Sequence, residues 1–381
     1  MLIFPSQSGL TNAPLRTQRL WNDAGMFTQS LGCVNCPDKS LCGGLSVASP
    51  LYDCMHLCCG NPSSCDAVCR NKPEEFAQRV REVGGFTLEN VSRAAALDAP
   101  ELPSLVPVIF HGNKRSPKFS GAGVVCLPMY KLIEARTGAV RFTNPQQLRE
   151  RFGLEKWTKV ILTGTSTDPA LERWWSFGRR RIDAIRSLKM LDVSLVTTPN
   201  YSLFTDQPRW DDLHSMKRIA IVHQEFLEAG LPAALHVNAR TERDWDRWGE
   251  FIAGRPEISH LAFEFATGAG WGGRIDWHVE QLCRLRVVVG RPLHLVIRGG
   301  STILPRLFDA FEKVTCLETS IFVKTMHRKA AVLRTGGLVR WRQAPTEQHE
   351  LLDMLLNYNW TVISESYEIE RLTNSVHRKV A

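Results

Sequence analysis

From residue 106 onward, short apolar runs alternate with longer amphipathic segments, and this restricts the fold more than any other feature of the chain. The runs occupy 106–111, 159–163, 193–197, 233–237, 260–264, 292–297 and 317–323. Each has strand length and is rich in β-branched or other apolar residues. Between them lie the helical segments 169–191, 211–229, 242–253, 275–289 and 304–312. Repeated strand–helix units predict a parallel sheet with crossover helices. An eighth strand is available at 123–127 or 338–341. The span 106–342 is close to the roughly 250 residues of a (β/α)8 barrel. The predicted fold class is therefore α/β, a TIM-like barrel carrying an N-terminal cysteine-rich metal-binding module. An open doubly wound sheet is the alternative. It usually places a Gly-rich phosphate loop after its first strand, and His111-Gly112-Asn113 is not that fingerprint.

The segment before the barrel is different in kind. Eight of the 11 cysteines fall within it: Cys33, Cys36, Cys42, Cys54, Cys58, Cys59, Cys65 and Cys69. Residues 1–72 are rich in Gly, Pro, Ser and Asn, show little periodicity and bury little apolar surface, so a metal would supply the folding energy. Cys33-x2-Cys36 lets two thiolates of one tight turn reach the same ion. The uneven later spacings and the adjacent Cys58-Cys59 suit an iron–sulfur cluster, one or two of the 4Fe-4S type. Zinc, with its paired Cys-x2-Cys knuckles, is the alternative, and unligated or disulfide-bonded cysteines are a third reading. The radical S-adenosylmethionine signature Cys-x3-Cys-x2-Cys is absent: Asn61 and Lys72 stand where its third cysteine would be. Residues 73–105 read as a helix, started by Pro73 and stopped by Gly84-Gly85, and a Pro-containing linker. The barrel takes 106–345, and 346–381 form a C-terminal helical extension.

Composition narrows the function classes. At 44% hydrophobic and 23% charged the chain is not intrinsically disordered. No apolar run approaches the ~18 residues of a membrane helix, and no signal peptide is legible, so a cytoplasmic protein without a membrane partner is expected. Residues 1–100 carry 8 Lys and Arg against 9 Asp and Glu, whereas the remainder carries 39 against 30. The excess positive charge belongs to the barrel part and points to an anionic partner, with nucleic acid, DNA or RNA, leading.

Barrel chemistry sits at the C-terminal ends of the strands and in the loops that follow. His236, Asn238 and Arg240 alternate along one run, which would put them on one strand face. Glu264 ends an apolar strand between Phe263 and Phe265, where desolvation would raise its pKa. The competing reading pairs it with Arg240 or Arg298 as a structural ion pair. Asp206 lies in the loop after the 193–197 strand. These five, His236, Asn238, Arg240, Glu264 and Asp206, are the candidate catalytic residues. Candidates for phosphate contact are Arg179, Arg180 and Arg181, which follow Trp174-Trp175, and Arg298 before Gly299-Gly300. Lys324, Arg328 and Lys329 complete the set, in a run free of acids to Arg342.

The stretch Thr197-Thr-Pro-Asn-Tyr-Ser-Leu-Phe-Thr-Asp206-Gln-Pro-Arg209 resembles a strand–loop signature of an uncharacterised family of prophage and mobile-element proteins. That resemblance implies no reaction. The barrel is also similar in architecture to the tRNA-guanine transglycosylase superfamily, some of whose members insert 7-deazaguanine bases into DNA. The chain lacks that superfamily's late Cys-x-Cys-x2-Cys knuckle. Three functions are expected. The first is a metal-cluster barrel enzyme acting on nucleic acid at a base, a modifying transferase. The second is a non-catalytic iron–sulfur nucleic-acid-binding subunit of a mobile-element or defence complex, with partner proteins. The third is an iron–sulfur redox enzyme for a small anionic substrate.

Overall fold

A computed structural model describes residues 28–29, 46–47, 73–110, 118–203, 209–270, 274–300, 303–347 and 350–380. The eight clustered cysteines and the body of the N-terminal module lie outside the described residues, except for a two-residue antiparallel pairing of Thr28–Gln29 with Ser46–Val47.

Eight parallel strands follow in chain order: β1 Leu105–Pro107, β2 Val124–Pro128, β3 Lys159–Thr163, β4 Val193–Thr197, β5 Ala233–His236, β6 His260–Glu264, β7 His294–Arg298 and β8 Lys313–Glu318. Each pairs with its successor from β2 to β8, and β8 returns to β1. The remaining edges, β1 and β2, meet through a parallel bridge between Val108 and Cys126, where Ile109 N donates to Cys126 O at 2.9 Å. The result is the TIM-like barrel, and the open doubly wound alternative is not what forms. The eighth strand is the 123–127 candidate.

The helices are α1 Pro73–Val83, α2 Pro145–Phe152, α3 Asp168–Ser176, α4 Arg180–Met190, α5 Arg209–Glu228, α6 Glu242–Ala253, α7 Arg274–Val289, α8 Leu304–Ala310 and α9 Ser320–Met326. A hairpin of β9 Lys329–Leu333 and β10 Val339–Gln343 and the long α10 Asp353–Val380 complete the chain. Two elements depart from the sequence reading. The run at 317–323 is not one strand: β8 ends at Glu318 and α9 begins at Ser320. The segment 169–191 is two helices, parted at Phe177-Gly178-Arg179, with Gly178 at φ +54°.

The apolar strands supply two cores. Alternate residues face outward to the helices, as Val160 and Leu162 do, or inward, as Ile161 does. The inward set is small and aliphatic: Val106, Cys126, Ile161, Leu195, Ala234, Ala262, Val296 and Leu317 are among its members. Ala99 and Leu102, from the linker before β1, pack against it. At the same N-terminal end the rings of His260 and His294 lie 4.6 Å apart, and His294 Nε2 is 2.8 Å from Thr315 Oγ1. The barrel floor is thereby filled, which leaves the C-terminal mouth as the end where a ligand can meet interior side chains. Among the described residues no helix is long and apolar enough to cross a membrane.

Candidate active site

Strands β5, β6 and β7 are neighbours, and their register sets Glu264 beside Arg298, with His236 two residues lower on the adjoining strand. His236 stands opposite Ala262, and Glu264 opposite Arg298. Ala234, Ala262 and Val296 face the barrel interior. His236, Glu264 and Arg298 come two residues later, so they share that face at its C-terminal end. Arg298 donates through a terminal nitrogen to Glu264 Oε2 at 2.9 Å, and Ala266 N donates to Oε1 at 2.8 Å. The carboxyl of Glu264 is buried. Burial raises its pKa, while the Arg298 charge and these hydrogen bonds pull it down. Of the two partners open from sequence, Arg298 is the one Glu264 takes.

His236 is 3% exposed. Burial first, and the nearby Arg298 cation second, push its pKa down to about 3, so the ring is neutral at pH 7. Its Nδ1 and the Nε of Arg298 are buried and have no hydrogen-bond partner among the described residues. The backbone N–H of His236 donates to Thr198 Oγ1 at 2.8 Å, which fixes the strand end. Cys126 of β2, also on the interior face, is fully buried, and burial pushes its thiol pKa up against the opposing Arg298 charge. A neutral imidazole beside an oriented guanidinium can hydrogen-bond a carbonyl or ring nitrogen and stabilise negative charge developing on it.

The rim is built from the β3 and β4 loops. Gly164 N donates to Thr197 Oγ1 at 3.0 Å, and Tyr130 OH donates to Gly164 O at 3.0 Å. A Cβ on Gly164 would lie 2.4 Å from Thr197 O, so only glycine fits there. Ser166 N donates to Asn200 Oδ1 at 3.3 Å, and Ser202 Oγ to Asp168 Oδ1 at 2.5 Å.

The expected common face of His236, Asn238 and Arg240 does not form. Strand β5 stops at His236, and a capping box between Thr241 and Asp244 turns the chain into α6. Asn238 Nδ2 donates to Tyr201 O at 2.8 Å, and Arg240 pairs with Asp212 of α5 at 3.5 Å. Asp206 lies outside the described residues, as do His111, Lys114 and Arg115.

The basic candidates divide. Arg179 and Arg180 are exposed. Arg181 is buried, holds both Glu225 oxygens at 2.9 and 2.7 Å, and lies 4.2 Å from the Trp175 ring centroid. It serves the α4–α5 contact. Gly299 and Gly300 both have positive φ, at +79° and +72°, and a Cβ on Gly299 would lie 2.6 Å from Ala266 N. Close backbone approach therefore explains that glycine pair. Lys324 is half-buried on α9 with its Nζ 5.9 Å from the Trp341 centroid. Arg328 is exposed and donates to Thr346 Oγ1 at 2.7 Å, and half-buried Lys329 opens β9.

The sequence reading missed the polar packing of α5. Asp211, His214, Lys217 and Arg218 are all buried on it. Arg79 of α1 pairs with Asp211 at 2.6 Å, Glu82 with His214 at 2.9 Å, and Glu172 of α3 with Arg218 at 2.7 Å. The signal was present: charged residues occupy every side of 209–228, which a surface helix with one wet face does not show. Among the described residues no group of three or more His, Cys, Asp or Glu is arranged to hold a metal ion.

Fold and site together define a TIM-like barrel protein with a buried polar cluster at its C-terminal mouth. No protein-family model matches the chain, and no curated protein matches it.

Proposed function

We propose that the chain is a barrel enzyme that modifies nucleic acid at a base, with the base entering the C-terminal mouth. The convergence of His236, Glu264 and Arg298 on one interior face carries this reading. A purely structural ion pair has no need of a neutral, buried histidine beside it with an unbonded ring nitrogen. Glu264 orients Arg298, Arg298 Nε and His236 Nδ1 address the substrate's carbonyl or ring nitrogens, and the guanidinium stabilises negative charge formed there. A base reaches such an interior site from a single strand or by flipping out of a duplex. The eight cysteines Cys33, Cys36, Cys42, Cys54, Cys58, Cys59, Cys65 and Cys69 would hold an iron–sulfur cluster, with zinc as the alternative. The positive balance of residues 101–381 supports the choice of an anionic polymer.

Nucleoside mass spectrometry of DNA and RNA from cells expressing the protein tests the reaction. A modified nucleoside should appear with the wild type and vanish with Glu264→Gln and with His236→Ala. An unchanged nucleoside pool alongside retained nucleic-acid binding would assign the non-catalytic binding role instead. Iron and acid-labile sulfide in anaerobically purified protein test the cluster, and a colourless protein with stoichiometric zinc would replace it.

A further inference from the structure

We propose that the β9–β10 hairpin is the surface that grips the phosphate backbone of a double-stranded nucleic acid. This rests on the nucleic-acid reading above and names the form of the polymer and the element that holds it. Residues 324–342 contain Lys324, Arg328, Lys329, Arg334, Arg340 and Arg342 and no Asp or Glu. Among the described residues none of the six pairs with a carboxylate.

The fold sorts these cations by face. The antiparallel register sets Ala331 opposite Trp341, Val332 opposite Arg340 and Ala330 opposite Arg342. Ala331 is fully buried and Trp341 packs against the main core, so their face looks inward. Arg340 and Arg342 stand on the other face, opposite only Val332 and Ala330, and both are exposed. Arg328 and Arg334, just before and just after β9, are exposed as well. Residues two apart on a strand are about 6.8 Å apart, so Arg340 and Arg342 stand as neighbours on the outer face, with the exposed Arg328 and Arg334 flanking the ribbon.

The same sorting decides between polymer forms. Single-stranded nucleic acid is held by phosphate contacts together with aromatic stacking platforms. The one aromatic residue of the hairpin, Trp341, is turned inward beneath Lys324. The outer face offers cations and small aliphatic groups and nothing to stack on. Such a face suits a polymer whose bases are sheltered and whose phosphates are regularly spaced. The ribbon is also held firmly: Asn359 of α10 closes the free edge of β9 by accepting from Ala331 N at 2.7 Å and donating to Lys329 O at 2.9 Å.

Anisotropy of the full-length protein titrated onto labelled DNA and RNA duplexes, and onto one strand of each, tests the proposal over a range of KCl. The wild type should bind a duplex more tightly than its single strand. Arg340→Glu/Arg342→Glu should weaken duplex binding by roughly 10-fold or more and make the slope of log K against log salt shallower by about 2, one unit per lost phosphate contact. Lys156→Glu/Lys159→Glu makes the same charge change at exposed sites outside the hairpin, and should leave the slope unchanged. Tighter binding to single strands, or a hairpin variant indistinguishable from wild type, would overturn the inference while nucleic-acid binding stood. A wild type that binds none of the four probes would remove the nucleic-acid reading itself.

Discussion

At the scale of single residues, the mouth cluster is a balance of burial against pairing. The Glu264 side chain is 4% exposed and that of Arg298 25%, so the carboxylate depends on its cation more than the reverse. Arg298→Met therefore leaves a buried carboxylate with one backbone N–H, and should destabilise the protein by about 3 kcal/mol. Adding Glu264→Gln removes the stranded charge and should restore most of that loss. Urea midpoints of the two single variants and the double variant measure the coupling. Equal additive losses would show that the pair contributes no mutual stabilisation. The positions of His236, Glu264 and Arg298 were legible because each ends an apolar strand, and period-two alternation carries them to the inward face. Arg240 was misplaced for an equally physical reason. Alternation holds only while the strand lasts, and Thr241-x2-Asp244 is a helix-start signal that ends it.

At the scale of elements, the clearest departure from the sequence is α9. Ile321-Phe322-Val323 is β-prone, yet it is helical because tertiary packing outweighs local preference. Phe322 meets Phe110 at 5.9 Å, and Thr325 receives a 2.8 Å bond from Asn359. By contrast β3, β4, β6 and α6 have the bounds read from sequence, since apolar runs or caps mark both their ends. Helix α10 acts as a clamp on the barrel's flank. Its Trp360 Nε1 donates to Gly121 O at 2.7 Å, and Tyr367 OH donates to Ser104 O at 3.0 Å. Gly121 is itself exposed, but a Cβ on it would lie 2.5 Å from Cδ1 of the buried Trp360. Gly121→Ala should therefore displace the indole and cost about 1–3 kcal/mol, the range of an overpacked core. Asn359→Leu fills similar volume but strands the β9 amide and carbonyl, at about 1–3 kcal/mol for each group left unpaired. Hydrogen exchange should place the second loss in β9, with amide protection at Ala331 falling first. Unchanged protection there would mean that the β9 edge finds its partners without Asn359.

At the scale of the whole molecule, acid sensitivity follows from where the histidines sit. Among the described residues six are folded in neutral form, each chiefly through burial: His214, His236, His278 and His294 have pKa values lowered to about 3, and His223 and His260 to about 4. They occupy the barrel floor, the mouth and the helical layer, so protonating them is a cost to the fold as a unit. An unfolded histidine titrates near 6.5. Between that value and the folded one the unfolded chain binds more protons, so stability falls as pH falls. The contribution is complete above about pH 6.5 and drains away toward pH 3–4. Each histidine supplies up to about 1.4 kcal/mol per pH unit in that window. Because all six are lowered in the same direction, their contributions act together in making stability fall as the pH falls. Cooperative acid unfolding should therefore begin below about pH 6.5, as these buried rings are forced to take up protons. Urea midpoints measured from pH 7.5 downward should fall steeply from about pH 6. His223→Gln, which replaces one buried imidazole by a group that cannot titrate, should flatten that slope by about one proton. A midpoint that stays level to pH 4 would mean that these rings gain solvent or a partner without unfolding, and that the interior is less tightly closed to protons than its packing implies.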